Sequence, residues 1–231
     1  MVKYNRVTLS RKKELQKPDE IIGSLRKLFE YTINHGLQVA VSLGVLLTAI
    51  VVFAAIRYFS EAAESKASAL LDQGMAKYNS LLNEKGPVKA SQEAAKKLES
   101  IVNEYPRTAA ARFAGINLAN IYFAAEKYDK AITLYEKAAT YFDRSPLFRN
   151  LIYAGLGRCH DAKGDKLKAA EYFEMVVKDN GALLADEALF NLGRIYAEMG
   201  EQNKSTDAYK KIISSHGDSI YIAIARENGA G

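Results

Sequence analysis

The side chains able to do covalent or acid-base chemistry are few and scattered. Cys159 is the one cysteine of a 231-residue chain, and with His160 it makes the one Cys-His pair. Neighbours on a helix point about 100° apart, so this pair cannot work as nucleophile and base, and packing accounts for both residues. His35 and His216 lie far from it in the chain, and three dispersed histidines set out no metal site. Gly155 and Gly157, inside LIYAGLGRCHDAKG, lack the spacing of a phosphate-binding loop and fall within a helical pattern. Asp186-Glu187 stands at a helix start, where capping and the helix dipole explain paired acids. The chain is therefore expected not to be an enzyme: no catalytic residues, no cofactor, no metal and no small-molecule substrate.

Charge excludes a second class. The net charge is +5. Most of the basic excess sits in residues 1–36, where Lys3, Arg6, Arg11, Lys12, Lys13, Lys17, Arg26 and Lys27 face Glu14, Asp19, Glu20 and Glu30. The remainder is close to neutral with signs mixed, which is not the concentrated basic face of a nucleic-acid-binding domain. The single cysteine also rules out an intrachain disulfide framework.

What remains is a chain whose elements bind rather than react. Beyond residue 58, Gly and Pro are sparse and Ala, Leu, Lys, Glu and Tyr recur at helical spacing, so the fold is expected to be all-α. Leu118-Ala119 with Tyr122, Ala131, Tyr135 and Ala138 recurs as Leu156-Gly157 with His160, Ala169, Phe173 and Val176. It recurs again as Leu192-Gly193 with Tyr196, Ser205, Tyr209 and Ile212, the copies starting 38 and 36 residues apart. This pattern resembles the tetratricopeptide repeat, a helical hairpin of about 34 residues. Small residues at Ala119, Gly157 and Gly193 let the two helices of a hairpin approach. Ala131, Ala169 and Ser205 fill the crossing beside an aromatic ring.

The resemblance implies a tetratricopeptide-like α-solenoid of about four hairpins: a degenerate repeat over 64–106, repeats over 108–145, 147–180 and 183–217, and a C-terminal capping helix in 218–231. The degenerate unit is expected to hold a first helix from Ser65 to Asn83 and an irregular loop from Asn83 to Val88. It also implies a concave groove lined by first helices, with Ile116, Asn120 and Phe123, then Ala154, Arg158 and Asp161, then Phe190, Arg194 and Glu198 facing a protein partner. Reversing Arg158 and Arg194 is expected to weaken partner capture and leave the fold intact.

Residues 37–58 read as a single transmembrane helix. Leu37 to Ile56 carries no charge and only Gln38, Ser42 and Thr48 as polar members. At about 1.5 Å per residue, such a run crosses the hydrocarbon core. An A-x-A triplet exists at Ala67-Ser68-Ala69, but the preceding tail is too long and the apolar run too extended for a cleaved signal peptide, so a signal anchor is expected. Eight Lys and Arg precede the span, against Arg57, Lys66 and Lys77 just after it. The positive-inside rule then keeps residues 1–36, a tail with a short amphipathic helix, in the cytoplasm and exports residues 59–231. Gly36, Ala40, Gly44 and Thr48 form a small-residue ridge along the span.

Tail, single span, degenerate repeat and tetratricopeptide units in this order resemble the YfgM-like family, the ancillary subunit of the SecYEG translocon. The segment KKELQKPDEII, Lys12 to Ile22, is similar to tails of membrane-anchored relatives. The resemblance implies a bacterial inner-membrane protein with a periplasmic scaffold, whose partners are the SecYEG translocon and periplasmic chaperones and which meets lipid through one helix. A tetratricopeptide coordinator of cell-envelope synthesis or cell division is the alternative, using the same groove on wall-synthesis enzymes.

Overall fold

The computed structural model describes residues 20–179 and 183–229. Most of the Lys12 to Ile22 segment and the last residue of the repeat expected over 147–180 lie outside them. The described residues are helical and contain no strand. They divide into two compact units, one ending at Phe59 and one beginning at Ser60.

The first unit holds α1 (Glu20–Asn34) and the opening of α2 (Gly36–Glu104), separated by a one-residue break at His35. Within α2 the stretch from Gly36 is long and apolar enough to cross a membrane, and none of its apolar window is buried in the protein. Thr48, a polar member of that window, donates its hydroxyl to the Gly44 carbonyl at 2.8 Å, so it presents no unsatisfied donor to its surroundings. The helix does not stop at Arg57-Tyr58.

The second unit is a stack of hairpins. α2 bends back on itself at Gly86, whose φ of 74° and ψ of 173° lie where only glycine sits without strain. The irregular loop expected over 83–88 thus contracts to a single-residue kink. The arms on either side bury Ala67, Leu81, Ala90, Ala94, Leu98 and Ile101. Ala67, part of the A-x-A triplet, is fully buried inside a helix.

Three hairpins follow: α3 (Ala109–Ala124) with α4 (Tyr128–Phe142), α5 (Pro146–Ala162) with α6 (Lys166–Lys178), and α7 (Ala185–Glu198) with α8 (Gln202–Ser215). Their inner turns are built alike. Glu126, Gly164 and Gly200 take positive φ and donate to the carbonyls of Phe123, Asp161 and Ala197, while the next residue donates to Tyr122, His160 and Tyr196. These paired bonds satisfy the last carbonyls of each first helix.

Ala131 and Ala169 are fully buried and Ser205 nearly so, the last donating its hydroxyl to the Gly193 carbonyl at 2.7 Å. Phe113, Phe142 and Phe148, with ring centroids 4.9 to 5.2 Å apart, join the first of these repeats to the second. α9 (Ile222–Gly229) packs on α8 through the buried Ala225.

The entry to α3 has a long-range cap. Thr108 accepts from the Ala111 amide at 3.1 Å, and Glu64, on α2, accepts from the Ala109 and Ala110 amides at 2.7 and 2.9 Å. A carboxylate on the first free N–H groups of a helix also complements its dipole. Glu64→Ala is expected to cost about 1 kcal/mol of stability in the repeat unit, with Glu64→Gln costing less because its amide oxygen still accepts. Thermal unfolding of the purified chain followed by circular dichroism checks the order.

Candidate functional site

The sequence's nominal nucleophile is a core side chain. Cys159 is fully buried, and burial pushes its thiol up to about 11 against the opposing pull of Arg158. His160 is buried too, stacked on Tyr172 at 5.4 Å with Nδ1 3.5 Å from Asp165. Its counterparts Tyr122 and Tyr196 instead donate their hydroxyls to Glu99 and Glu174 of the preceding second helices, and the Glu99 partnership, after burial, helps raise the Tyr122 hydroxyl to about 12. Among the described residues no three His, Cys, Asp or Glu side chains are grouped to hold a metal ion.

Charged groups converge elsewhere, along the face where the first helices meet. α3 and α5 touch directly, and side chains carry the link on to α7. Arg158 on α5 donates to Glu187 on α7 at 2.5 Å. Asp161, one helical turn further on, accepts from Arg194 of α7 and from Lys166 of α6, the latter at 2.7 Å. Glu198 closes the set, 2.6 Å from both Lys166 and Arg194. Toward α3, the Tyr135 hydroxyl donates to the Asn120 side chain at 2.5 Å.

These groups fix each other's charge. Asp161 and then Glu198 hold the Lys166 ammonium above its usual pKa, and Lys166 is the chief reason that the Glu198 carboxyl lies below its own. Burial works against the Arg194 cation, but Asp161 and Glu198 outweigh it. A carboxyl with a lowered folded-state pKa contributes stability above its unfolded value and loses it as pH falls through the folded one. The Glu198 contribution is thus present at neutral pH and lost in acid, and the Lys166 contribution, its pKa being raised, is lost only in base. One ion pair, Arg158 with Glu187, and one set of four, Lys166 and Arg194 with Asp161 and Glu198, leave a face with strong local dipoles and no net charge.

Of the nine residues expected in the groove, Arg158, Asp161, Arg194 and Glu198 come together in this network. Asn120 is exposed beside it. Phe123 is half-buried against Tyr128, and Phe190 lies under Tyr221, with ring centroids 4.5 Å apart and planes 14° apart. Ile116 and Ala154 do not line it: at 5% and 1% exposure they belong to the core, Ile116 in a cluster with residues of α4 and α5 and Ala154 in one with residues of α6 and α7. Lys166, Glu187, Tyr135 and Tyr221 were missed. The i,i+4 spacing of Arg194 and Glu198 signals its own pair. The contacts of Arg158 with Glu187 and of Arg194 with Asp161 cross 29 and 33 residues of sequence and carry no local signal, while that of Lys166 with Asp161 crosses 5 residues around the hairpin turn. The arginines are also not free probes of partner binding, since reversing either sets like charges against Glu187, or against Asp161 and Glu198.

Comparison with known proteins agrees with this geometry. Residues 107–180 and 187–219 match models of the tetratricopeptide repeat. A TPR repeat-containing protein of Treponema pallidum is 30% identical over 95 residues, which cover 41% of this chain and 39% of that protein. A tetratricopeptide repeat protein from Parabacteroides merdae superposes with a TM-score of 0.56 at 17% identity, over 70% of this chain and 58% of that one. MamA superposes with a TM-score of 0.52 at 19% identity, over 70% and 83%. At such identities the likeness concerns the fold alone. The chain thus spans less than two thirds of the Treponema and Parabacteroides proteins.

Proposed function

We propose, from the tetratricopeptide repeats that this chain carries, that it is a membrane-anchored scaffold whose repeat unit holds other proteins outside the cytoplasm beside the protein-export channel. On this reading it is an ancillary subunit of the SecYEG translocon that passes exported chains to periplasmic chaperones. The observation that carries the binding role is the paired network on α5, α6 and α7, which spreads alternating charge over a surface formed by several helices. A face of this kind offers hydrogen bonds to an extended peptide without demanding one net charge from it. The uncovered apolar stretch of α2 supports the anchor, and eight basic residues before it support the orientation.

Crosslinking in native membranes followed by mass spectrometry tests the partner, and a charge swap tests the face. Arg158→Glu combined with Glu187→Arg keeps the ion pair while inverting the dipole shown to a partner, so the repeats stay folded. The expected result is crosslinks from the unaltered chain to export-channel subunits and chaperones, with several-fold fewer from the swapped chain. Crosslinks to wall-synthesis enzymes instead would replace the translocon role with the envelope one. Equal crosslinking by both chains would remove this face from the mechanism.

A further inference from the structure

The helix that precedes the span is too apolar on one side for water. At about 100° per residue, Leu25, Leu28, Phe29, Thr32 and Ile33 of α1 fall within an arc of about 140°. Leu25, Leu28, Phe29 and Ile33 are 59 to 67% exposed, with nothing in the first unit covering them. Thr32, the polar member of the arc, donates its hydroxyl to the Phe29 carbonyl at 2.8 Å and so brings no unmet donor to that side. Arg26 flanks the arc and Lys27 lies opposite it. The Arg26 partner, Glu30 at 3.2 Å, makes a solvent-exposed i,i+4 pair of the weak kind that a stronger acceptor displaces. Six further Lys and Arg lie in residues 1–17.

We propose that α1 is a second membrane contact, lying along the bilayer surface at the N-terminal end of the span with its apolar arc among the upper acyl chains and the flanking Arg26 on anionic lipid headgroups. This rests on reading the apolar stretch of α2 as a membrane span. Three observations select lipid as the occupant. α1 adjoins that stretch across the single residue His35, so the same bilayer is within reach. Regular helix is interrupted at the single residue His35, whose N–H still donates to the Tyr31 carbonyl at 2.9 Å, so this junction is where α1 would turn into the surface. Tyr31 and His35, whose rings meet at 4.6 Å, place amphipathic rings at the junction, where headgroups begin. A long basic side chain buries its stem and extends its charge to phosphate, so both the arc and Arg26 are satisfied in one pose, with Lys27 left in water.

The chain contains no tryptophan, so one introduced indole reports alone. Phe29→Trp, Lys27→Trp and Val45→Trp chains are reconstituted in phosphatidylcholine vesicles with and without phosphatidylglycerol. The acyl chains are brominated near the headgroup in one set and near the bilayer centre in another. The Phe29→Trp chain is expected to emit at shorter wavelength, to resist aqueous acrylamide and to be quenched by the shallow bromines, more strongly with phosphatidylglycerol present. The Lys27→Trp chain is expected to stay open to acrylamide. Equal acrylamide access in both would overturn the proposal, as would shielding of the indole without bromine quenching, which marks a protein or a second copy as the occupant. Identical quenching in both vesicle types would overturn the headgroup part. A Val45→Trp chain untouched by the deep bromines would show that the membrane span itself had failed, and the proposal with it.

Discussion

Leu46→Arg with Val51→Arg is expected to remove the chain from the membrane. Leu46 and Val51 sit in the middle of the uncharged stretch and are 56 and 67% exposed, as are most of the large apolar side chains from Leu37 to Phe59. So many uncovered apolar groups are untenable in water, where burial is favoured by about 25 cal/mol for each Å² of apolar surface. A bilayer covers them without further protein. Each arginine at the centre of such a helix costs about 2.5–3.5 kcal/mol on insertion scales, so two together oppose insertion by about 5–7 kcal/mol. Placed instead as Ala62→Arg with Ala69→Arg, beyond the stretch, the same charges are expected to change nothing in membrane attachment. Sedimentation after alkaline carbonate washing distinguishes them: the control chain pellets with membranes and the Leu46, Val51 variant stays in solution. A doubly charged chain still in the pellet would mean that something other than this helix is the anchor.

The repeats were legible because their physics is local and periodic. A hairpin crossing needs a small residue beside an aromatic ring, so the type at 131, 169 and 205 and the ring at 135, 173 and 209 recur in step with the fold, and all six positions are buried. The site was less legible. Register along a first helix says which residues share a face, but not which edge of that face a neighbouring helix covers, so Ile116 and Ala154 were counted as surface. Glu187 was explained by the start of its own helix, yet its carboxylate is taken by Arg158, 29 residues back. Glu64 gave no signal at all, because the amides that it caps are 45 and 46 residues away. Gly155 was legible as part of a repeat helix, but the reason that it is glycine, a ring from the preceding hairpin, was not.

That ring makes Gly155→Ala, together with Gly193→Ala, the substitution expected to cost the repeat unit most. A Cβ at Gly155 would lie 2.5 Å from Cζ of Tyr135, and one at Gly193 would lie 2.5 Å from Cζ of Tyr209. Neither distance is sustainable, so a ring or a helix must move. Tyr135 is 1% exposed and its hydroxyl is held by Asn120, so withdrawal gives up a hydrogen bond worth about 1 kcal/mol as well as packing. Tyr209 carries no such bond, but it packs between α7 and the buried Gly229 of the capping helix, which would be pushed outward. Overpacking of this kind costs about 1–3 kcal/mol, against about 0.5–1 kcal/mol gained from the better helix propensity of alanine. The net loss is about 1–2 kcal/mol at each site, or roughly 2–8 °C in Tm for a unit of this size. Gly115→Ala supplies the opposite sign, since nothing stands within 4 Å of its Cβ position and only the propensity gain remains. Because repeats unfold partly as neighbours, the Gly155 change should loosen the contact between the first and second full hairpins, and the Gly193 change the contact with the cap. Hydrogen exchange resolved along the chain is expected to show faster exchange in α4 and α5 for the first and in α8 and α9 for the second. Gly155→Ala and Gly115→Ala melting together would show that the hairpins are not packed at the distances seen here.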